Sequence, residues 1–211
     1  MAFDIDGTLY PNWKMYLRSF PFALKNYRLI KAFSRVRKQL RTIDPIHDFQ
    51  KLQAGLLSEA MDISYDEAYT RIHTILYRDW EKVLARVPLY PGALECIEDI
   101  RKRGLKTAVA SDFPVERKLG ILGIEGLWDY ELSTEDTNYL KPHKKPFEAI
   151  IQSLGVPAEE ILYVGNSYAY DVLGARAVGM KTAHITTKSV PNTMADFTFS
   201  HYKQLHTYLF R

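Results

Sequence analysis

The sequence is poor in cysteine, with Cys96 the only one among 211 residues. A single cysteine cannot form an intrachain disulfide, which excludes a small scaffold held together by disulfide bonds. Cys96 stands among the apolar residues Leu94, Ile97 and Ile100 in a helix-like stretch. Because free cysteine is one of the most frequently buried residue types, we predict that Cys96 is buried and reduced.

Long hydrophobic runs are also missing. Charged residues interrupt every apolar stretch before the roughly 18 residues that a membrane span needs. Asp4 and Asp6 stand where a signal peptide would be basic and then apolar. We therefore expect a cytoplasmic protein with no membrane partner, and a composition of 46% hydrophobic and 25% charged residues indicates a folded chain with one core and a sizeable insertion.

Acidic residues are absent from residues 7–43, which hold nine basic ones. The chain as a whole carries +3, so the remainder carries −6. Within this segment an apolar helical face is flanked by an opposite face with four cations, Arg28, Lys31, Arg35 and Lys38. The pattern predicts an amphipathic helix whose basic face is either solvated or attracts an anionic substrate or an acidic partner. Without a nucleic-acid module or interleaved stacking aromatics, we expect no nucleic-acid partner.

Short apolar strands alternate with helices from about residue 91 onward, which predicts a parallel sheet covered on both faces. The predicted strands are 106–111, 161–165 and 181–186, and the predicted helices are 91–103, 114–122, 146–154 and 171–178. Residues 12–88 have no strand signal, and a capping box marks a helix start at Ser64 with Glu67. We predict an α/β fold with a doubly wound, mainly parallel, Rossmann-like core (residues 1–11 and 89–211) and an inserted α-helical cap (residues 12–88).

The strongest local signal is the segment Asp4-Ile5-Asp6-Gly7-Thr8-Leu9 after an apolar start. Carboxylates two residues apart on an extended chain point the same way, and the following glycine lets backbone N–H groups turn toward an anion. In such a pair, one carboxylate can act as a nucleophile or metal ligand while the other acts as an acid or base. A polar turn after a strand explains the segment equally well at this point, whereas an EF-hand does not, because its further ligands are missing.

Three more polar signals follow predicted strands or precede a helix: Ser111-Asp112, Lys141-Pro142, and Gly165-Asn166 with Asp171. Ligands of open α/β sheets bind at the carboxyl ends of strands, so these groups could converge on Asp4. Taken singly, each has a local explanation as a helix cap, a solvated lysine or a helix-start acid.

In this order the motifs resemble those of the haloacid dehalogenase-like hydrolase superfamily, and the resemblance covers almost the whole chain. The insertion after the first motif resembles the small helical cap of phosphoglycolate-phosphatase-like members. The resemblance implies a Mg²⁺-dependent phosphomonoesterase (phosphatase) for a small phosphorylated substrate, working through an aspartyl-phosphate. Asp4 would be the nucleophile and Asp6 the acid and base, while Ser111 and Lys141 would complete the catalytic set and, with Asp112, bind substrate. The implied metal ligands are Asp4, Asp6, Asn166 and Asp171.

Two features depart from the pattern of that superfamily. Asn166 stands where an acid is usual, which removes one negative charge from the metal site. Only three residues precede Asp4, so we expect the first strand to be cut short at the start of the chain. A catalytically weak phosphate-binding or scaffold protein is therefore an alternative function.

Other activities of the superfamily are further alternatives. A phosphonate hydrolase or phosphotransferase is one, and the former would need a cap lysine such as Lys14 or Lys25. A dehalogenase is disfavoured because halide displacement does not need Asp6. Candidate specificity residues in the insertion are Trp13, Tyr16 and Arg18. The six histidines show no paired metal-ligand spacing.

Overall fold

The computed structural model describes residues 1–211 and centres on one six-stranded sheet. The strands are β1 (Ala2–Asp4), β2 (Ala108–Ser111), β3 (Tyr130–Ser133), β4 (Leu162–Gly165), β5 (Lys181–Ile185) and β6 (Phe197–Phe199). Their order is β3-β2-β1-β4-β5-β6, and every neighbouring pair is parallel. The predicted doubly wound α/β fold is confirmed, with β1 and β4 at the point where the strand order reverses.

Five α-helices accompany the strands of the sheet in sequence. They are α6 (Ala93–Lys102), α7 (Glu116–Leu122), α8 (Lys144–Leu154), α9 (Leu173–Ala177) and α10 (Tyr202–Phe210). β2 and β4 are buried along their whole length, as expected for parallel strands covered on both faces. Cys96 on α6 is buried, as predicted, and burial raises the pKa of its thiol to about 12.

Between β1 and α6 the chain forms only helices. They are α1 (Asn12–Lys25), α2 (Tyr27–Leu40), α3 (Phe49–Met61), α4 (Tyr65–Arg71) and α5 (Trp80–Leu84), with π-helical turns over Ile72–Asp79. Fourteen buried residues form a core of their own here, to which Leu140 of the sheet region contributes. This core is distinct from the two clusters that cover the sheet. The division at residues 11/12 and 88/89 stays a prediction.

Helix α2 has the predicted amphipathic form, since Leu29 and Val36 are buried and the four cations of the opposite face are exposed. The start of α4 is also as predicted, with the Ser64 hydroxyl accepting a hydrogen bond from the Glu67 backbone N–H at 3.2 Å. None of the helices is both long and apolar enough to cross a bilayer.

Candidate active site

The carboxyl ends of β1, β2 and β4 bring the predicted site residues together at the rim of one cavity of about 520 Å³. The cavity lining includes Asp4, Asp6, Asp112, Lys141, Asn166 and Asp171. Ser111 ends β2 beside them and donates to Asp6. Residues separated by up to 167 positions in the sequence therefore meet where the parallel strands end.

Gly7 is required by the close approach of the chain at this rim. Its φ is +91°, which L-residues with a side chain rarely adopt. A Cβ atom there would lie 2.2 Å from the Asn166 amide nitrogen and 2.3 Å from that of Asn12. The glycine of the first motif thus lets the β1 loop lie directly against the β4 loop.

Asp4 is buried in a network with one lysine and one hydroxyl. Lys141 Nζ donates to Asp4 Oδ1 at 2.7 Å and to Asp171 Oδ1 at 2.7 Å, and the Thr8 hydroxyl donates to Asp4 Oδ2 at 2.7 Å. Burial raises the pKa of Asp4 to about 7, since Lys141 only partly offsets it and Asp171 and Asp6 add repulsion. Two buried carboxylates therefore share a single ammonium group.

Asp6 is held as an anion by a second lysine. Lys118 Nζ lies 3.0 and 2.8 Å from the two Asp6 oxygens, the Ser111 hydroxyl donates to Oδ2 at 2.7 Å, and the Tyr10 hydroxyl also donates. Burial alone would raise the pKa of Asp6, but the Lys118 charge and these hydrogen bonds lower it below its usual range. The two carboxylates of the motif thus sit in opposite electrostatic environments.

Asp112 uses its carboxylate to hold other parts of the site. Oδ1 accepts from the Thr134 hydroxyl at 2.8 Å and from the Lys141 backbone N–H at 3.1 Å, and Oδ2 pairs with Arg41 at 2.5 Å. Burial opposes the charge, but Lys141, Arg41 and Arg37 lower the pKa of Asp112 below its usual range. These contacts hold the backbone at Lys141 and the side chain of Arg41, the residue that follows α2. A direct contact of Asp112 with substrate stays a prediction.

The residues that could hold a metal ion offer only oxygen ligands. They are the carboxylates of Asp4 and Asp171, the side-chain oxygen of Asn166 and the backbone carbonyl of Asp6. Asn166 Oδ1 lies 3.5 Å from the Thr8 hydroxyl. No group of three or more His, Cys, Asp or Glu side chains forms a metal cluster by itself. The set has two acids, one amide and one carbonyl, which suits a hard dication such as Mg²⁺.

Helix α2 and the residue that follows it contribute two arginines that were not predicted from the sequence, the buried Arg37 and the half-buried Arg41. Arg37 donates to Gln53 Oε1 at 2.9 Å and to the Glu135 carboxylate and Asp112 carbonyl oxygen. Arg41 donates to the Lys141 carbonyl oxygen at 2.9 Å. Both side chains thereby reach from the helical segment to the loops that carry Asp112 and Lys141.

Lys118 is the other site residue missed in the sequence. It lies seven residues after Ser111 on α7, where its helical position gives no sign that it turns inward. Thr8 lies inside the quoted first motif, yet only the structure identifies its hydroxyl as the partner of Asp4. Of the candidate specificity residues, Tyr16 lines the cavity, whereas Trp13 and Arg18 do not and are exposed.

The cavity wall opposite the strand ends is mainly apolar. It is formed by side chains of α1, α2 and the segment 76–84, namely Met15, Ile30, Phe33, Leu76, Trp80 and Leu84. Phe113 and Pro114 continue this wall from the loop after β2. A ligand anchored at Asp4 would therefore extend toward apolar and aromatic surface.

Comparisons with known proteins agree with this geometry. The chain is 28% identical over 191 residues to pyrophosphatase PpaX of Bacillus cereus (strain AH820), spanning 88% of this chain and 82% of the relative. PpaX of Bacillus mycoides (strain KBAB4) is 27% identical over 194 residues, with the same shares.

Two solved structures share the fold over nearly their full length. A HAD phosphatase from Thermococcus onnurineus aligns with a TM-score of 0.64 at 24% identity, covering 99% of this chain and 96% of that one. The L-2-haloacid dehalogenase of Xanthobacter autotrophicus aligns with a TM-score of 0.68 at 19% identity and the same coverage.

The family model of the haloacid dehalogenase-like hydrolases matches residues 1–179. The chain thus belongs to the haloacid dehalogenase-like hydrolase family and is a hydrolase.

Proposed function

We propose that this hydrolase is a Mg²⁺-dependent phosphomonoesterase that works through an aspartyl-phosphate on Asp4. The observation that carries the proposal is the pair Asp4 and Asp6 at the end of β1, each with its own lysine. Lys141 lies 2.7 Å from Asp4, and Lys118 lies 2.8 Å from Asp6. A carboxylate can attack a phosphate dianion only where positive charge offsets their repulsion.

The chemistry divides between the two carboxylates. An Asp4 oxygen forms a bond to phosphorus while the ester P–O bond breaks, and Asp6 gives a proton to the leaving oxygen. Asp6 then takes a proton from water, the water oxygen attacks phosphorus, and the Asp4–phosphorus bond breaks to release phosphate. Ser111 donates a hydrogen bond to a phosphoryl oxygen, and Lys141 orients Asp4. Asp6 is ionised before substrate binds, and the arriving dianion favours its protonation by raising its pKa.

The proposed Mg²⁺ site consists of the Asp4 carboxylate, the Asp6 carbonyl oxygen, Asn166 and Asp171. When bound, the ion offsets the negative charge of the phosphoryl group and of the carboxylates around it. The arrangement around Lys141 supports this proposal, because one ammonium group serves two buried carboxylates. A dication would supply the charge that the buried site still lacks.

The cavity supports a substrate with an apolar or aromatic leaving group. Its far wall carries Phe33, Leu76 and Trp80, and the two arginines that also line the cavity, Arg37 and Arg41, are paired with Glu135 and Asp112. The named activity of the PpaX relatives would require a second phosphate to compete with these two acids for the arginines, so we propose a phosphomonoester of an apolar alcohol instead of pyrophosphate. Lys14 and Lys25 do not line the cavity, which also disfavours the phosphonate hydrolase.

The nucleophile is tested by replacing Asp4 with asparagine. We expect Asp4→Asn to abolish hydrolysis of an aryl phosphate and to prevent trapping by beryllium fluoride, because the amide cannot form the acyl-phosphate. Asp66→Asn on the exposed surface of α4 removes the same charge and should keep wild-type turnover. Activity of more than a few per cent in Asp4→Asn would contradict covalent catalysis at this residue.

The second candidate function is phosphate binding with little or no turnover, which Asn166 favours because it removes an anionic ligand. Aryl phosphate hydrolysis by the wild-type protein with Mg²⁺ separates the two. Release of phosphate that depends on Asp4 supports the enzyme. Phosphate binding without release over many hours would support the scaffold.

A further inference from the structure

Helix α1 has two apolar faces, and only one of them is covered. Met15 and Ser19 are buried against the rest of the protein. Six large apolar side chains of residues 13–27 are exposed, with exposed fractions between 59% and 70%: Trp13, Tyr16, Leu17, Phe20, Leu24 and Tyr27. These six residues are called the α1 stripe below. They make up half of the large exposed apolar side chains of the whole chain.

The spacing of the α1 stripe makes it continuous. Its five members on α1, Trp13, Tyr16, Leu17, Phe20 and Leu24, fall within about 100° of arc at 3.6 residues per turn, and Tyr27 follows at the start of α2. Single exposed apolar residues are normal on protein surfaces, but a contiguous set of this size marks a surface that binds something apolar. The stripe lies beside the buried face and outside it, so internal packing does not account for it.

Cations border the stripe, and the segment that carries it contains no acid. Arg18 and Lys25 of α1 and Arg28 and Lys31 of α2 are exposed, and residues 7–43 contain no Asp or Glu. Lys31 Nζ lies 5.7 Å from the centre of the Tyr27 ring. A second, shallower cavity of about 330 Å³ is lined by Arg18, Lys82, Val83 and Arg86. Lys82 is paired with Asp79, so Arg18 and Arg86 are the cations that this cavity adds beside α1.

We propose that α1 is an interfacial helix that binds an anionic lipid surface. A helix with apolar and aromatic side chains on one side and flanking Lys and Arg is the form that lies in the headgroup region of a bilayer. Such a helix lies on the membrane and does not cross it, which agrees with the lack of a spanning helix. The proposal departs from our sequence-based expectation of no membrane partner, because exposure of the α1 stripe is visible only in the structure.

Charge favours a lipid surface over a second copy of this chain. Two copies joined by their α1 stripes would bring together two sets of exposed cations, each consisting of Arg18, Lys25, Arg28 and Lys31. An anionic membrane instead meets these cations with opposite charge, which strengthens binding.

The stripe also borders the entrance of the candidate active site. Tyr16 belongs to the stripe and lines the 520 Å³ cavity, together with Asn12 and Met15 of the same helix. A membrane bound by α1 would therefore lie next to the cavity mouth. The proposal itself concerns binding and does not depend on the proposed chemistry.

The test is sedimentation of the full chain with vesicles of phosphatidylcholine alone and with phosphatidylglycerol added. We expect the protein to bind the anionic vesicles and this binding to weaken with salt.

The α1 stripe is tested by replacing three of its residues. The partition coefficient of the variant Leu17→Ser/Phe20→Ser/Leu24→Ser should be at least tenfold lower than that of the wild type. The control Leu105→Ser/Met194→Ser/Tyr208→Ser removes three other exposed apolar side chains, which are 45–52% exposed, and should bind as the wild type does. A second variant, Arg18→Gln/Lys25→Gln/Arg28→Gln/Lys31→Gln, should lose most of its preference for anionic vesicles.

Tryptophan fluorescence identifies the inserted residue. Trp13 is exposed, whereas Trp80 is half-buried and Trp128 is buried. Brominated lipids should quench the wild-type emission on binding, and Trp13→Phe should remove the quenching while keeping vesicle binding.

Two outcomes would overturn the proposal. One is that the protein binds no vesicle and is a monomer by light scattering. The other is that it is a dimer, binds no vesicle and becomes a monomer in the Leu17→Ser/Phe20→Ser/Leu24→Ser variant, in which case a second copy covers the stripe.

Discussion

At the scale of single residues, the site depends on which lysine accompanies which carboxylate. Lys141 is shared between Asp4 and Asp171, while Lys118 and the Ser111 hydroxyl serve Asp6. The pKa of Asp4 is therefore raised and that of Asp6 is lowered. These directions are the reverse of those in a resting nucleophile–acid pair, since the proposed nucleophile Asp4 has the raised pKa and the proposed acid Asp6 the lowered one. A dication bound at Asp4 would lower the pKa of Asp4, and an arriving phosphate dianion would raise that of Asp6.

Replacing Lys118 tests the environment of Asp6. We expect Lys118→Met to lower kcat by about tenfold to a hundredfold, the scale of weakened acid–base catalysis, because Asp6 loses two hydrogen bonds and its nearest charge. Asp6 acts as the acid in the step that kcat/KM reports, so its pKa sets the alkaline limb of the pH–kcat/KM profile. Since Lys118 lowers the pKa of Asp6, removing Lys118 should move this limb to higher pH. Arg117→Met, on the exposed side of the same helix, serves as the control. An unchanged profile in Lys118→Met would contradict a role for this lysine.

Asn166 decides the charge of the proposed metal site. We expect Asn166→Asp to tighten Mg²⁺ binding by tenfold or more, about 1.4 kcal/mol, because one anionic oxygen is added close to a divalent ion. Turnover need not rise, since the added charge also repels the phosphoryl group. Calorimetric titration without substrate measures the effect, and Asn26→Asp adds the same charge outside the cavity as a control. Equal affinities in wild type and Asn166→Asp would mean that residue 166 is not a ligand.

Much of the site follows from the motifs, and the remainder depends on tertiary contacts. Asp4, Asp6, Lys141 and Asp171 converge as expected because parallel strands end at one edge. Lys118 could not be predicted, since its packing against Asp6 depends on how α7 returns to the sheet. The exposure of Trp13 was likewise invisible, because an apolar residue in a helical pattern is more often a core residue.

At the scale of elements, the buried strands and their helices are predictable from the sequence, whereas the two edge strands, β3 and β6, are not. β2 and β4 carry continuous apolar runs, which indicate strands covered on both faces. β3 carries exposed Glu131, and β6 is only three residues long, so neither has a clear strand pattern. Helices α1 and α3 were missed as well; α1 carries an apolar face on each side and an internal proline, Pro21, which obscures a single helical stripe.

Helix α2 is joined to the sheet by one buried ion pair. Arg37 donates to Glu135, which also accepts from the Tyr77 hydroxyl at 2.7 Å. We expect Arg37→Met to destabilise the protein by about 3–5 kcal/mol, because it leaves a buried carboxylate without its counter-charge. Denaturant unfolding measures the change. Arg35→Met, on the exposed face of the same helix, should change stability by less than about 0.5 kcal/mol.

The double variant Arg37→Met/Glu135→Gln distinguishes the contribution of the ion pair to stability from that of the general packing of α2. If the pair carries the stability, the double variant should recover part of the loss, since no uncompensated charge remains. If Arg37→Met is as stable as the wild type, solvent compensates the charge of the Glu135 carboxylate.

At the scale of the whole molecule, charge is divided between the helical segment and the rest. Residues 7–43 carry +9 and the remainder −6, although the net charge is only +3. Such a separation produces a field that extends beyond any single contact, and Arg28, Lys31, Arg35 and Lys38 are free to face solvent. Anions approaching the cavity therefore meet positive potential on the side where α1 and α2 form its wall.

Steering by this field is testable with a soluble aryl phosphate. We expect Arg28→Gln/Lys31→Gln/Arg35→Gln/Lys38→Gln to lower kcat/KM severalfold at low salt and to flatten its salt dependence, because attraction within about a Debye length is lost. The control Lys102→Gln/Lys144→Gln/Lys145→Gln/Lys203→Gln removes four exposed charges from α6, α8 and α10. It changes the net charge equally and should leave the salt dependence intact. Equal kinetics for both variants at low salt would mean that the basic face of α2 is only solvated.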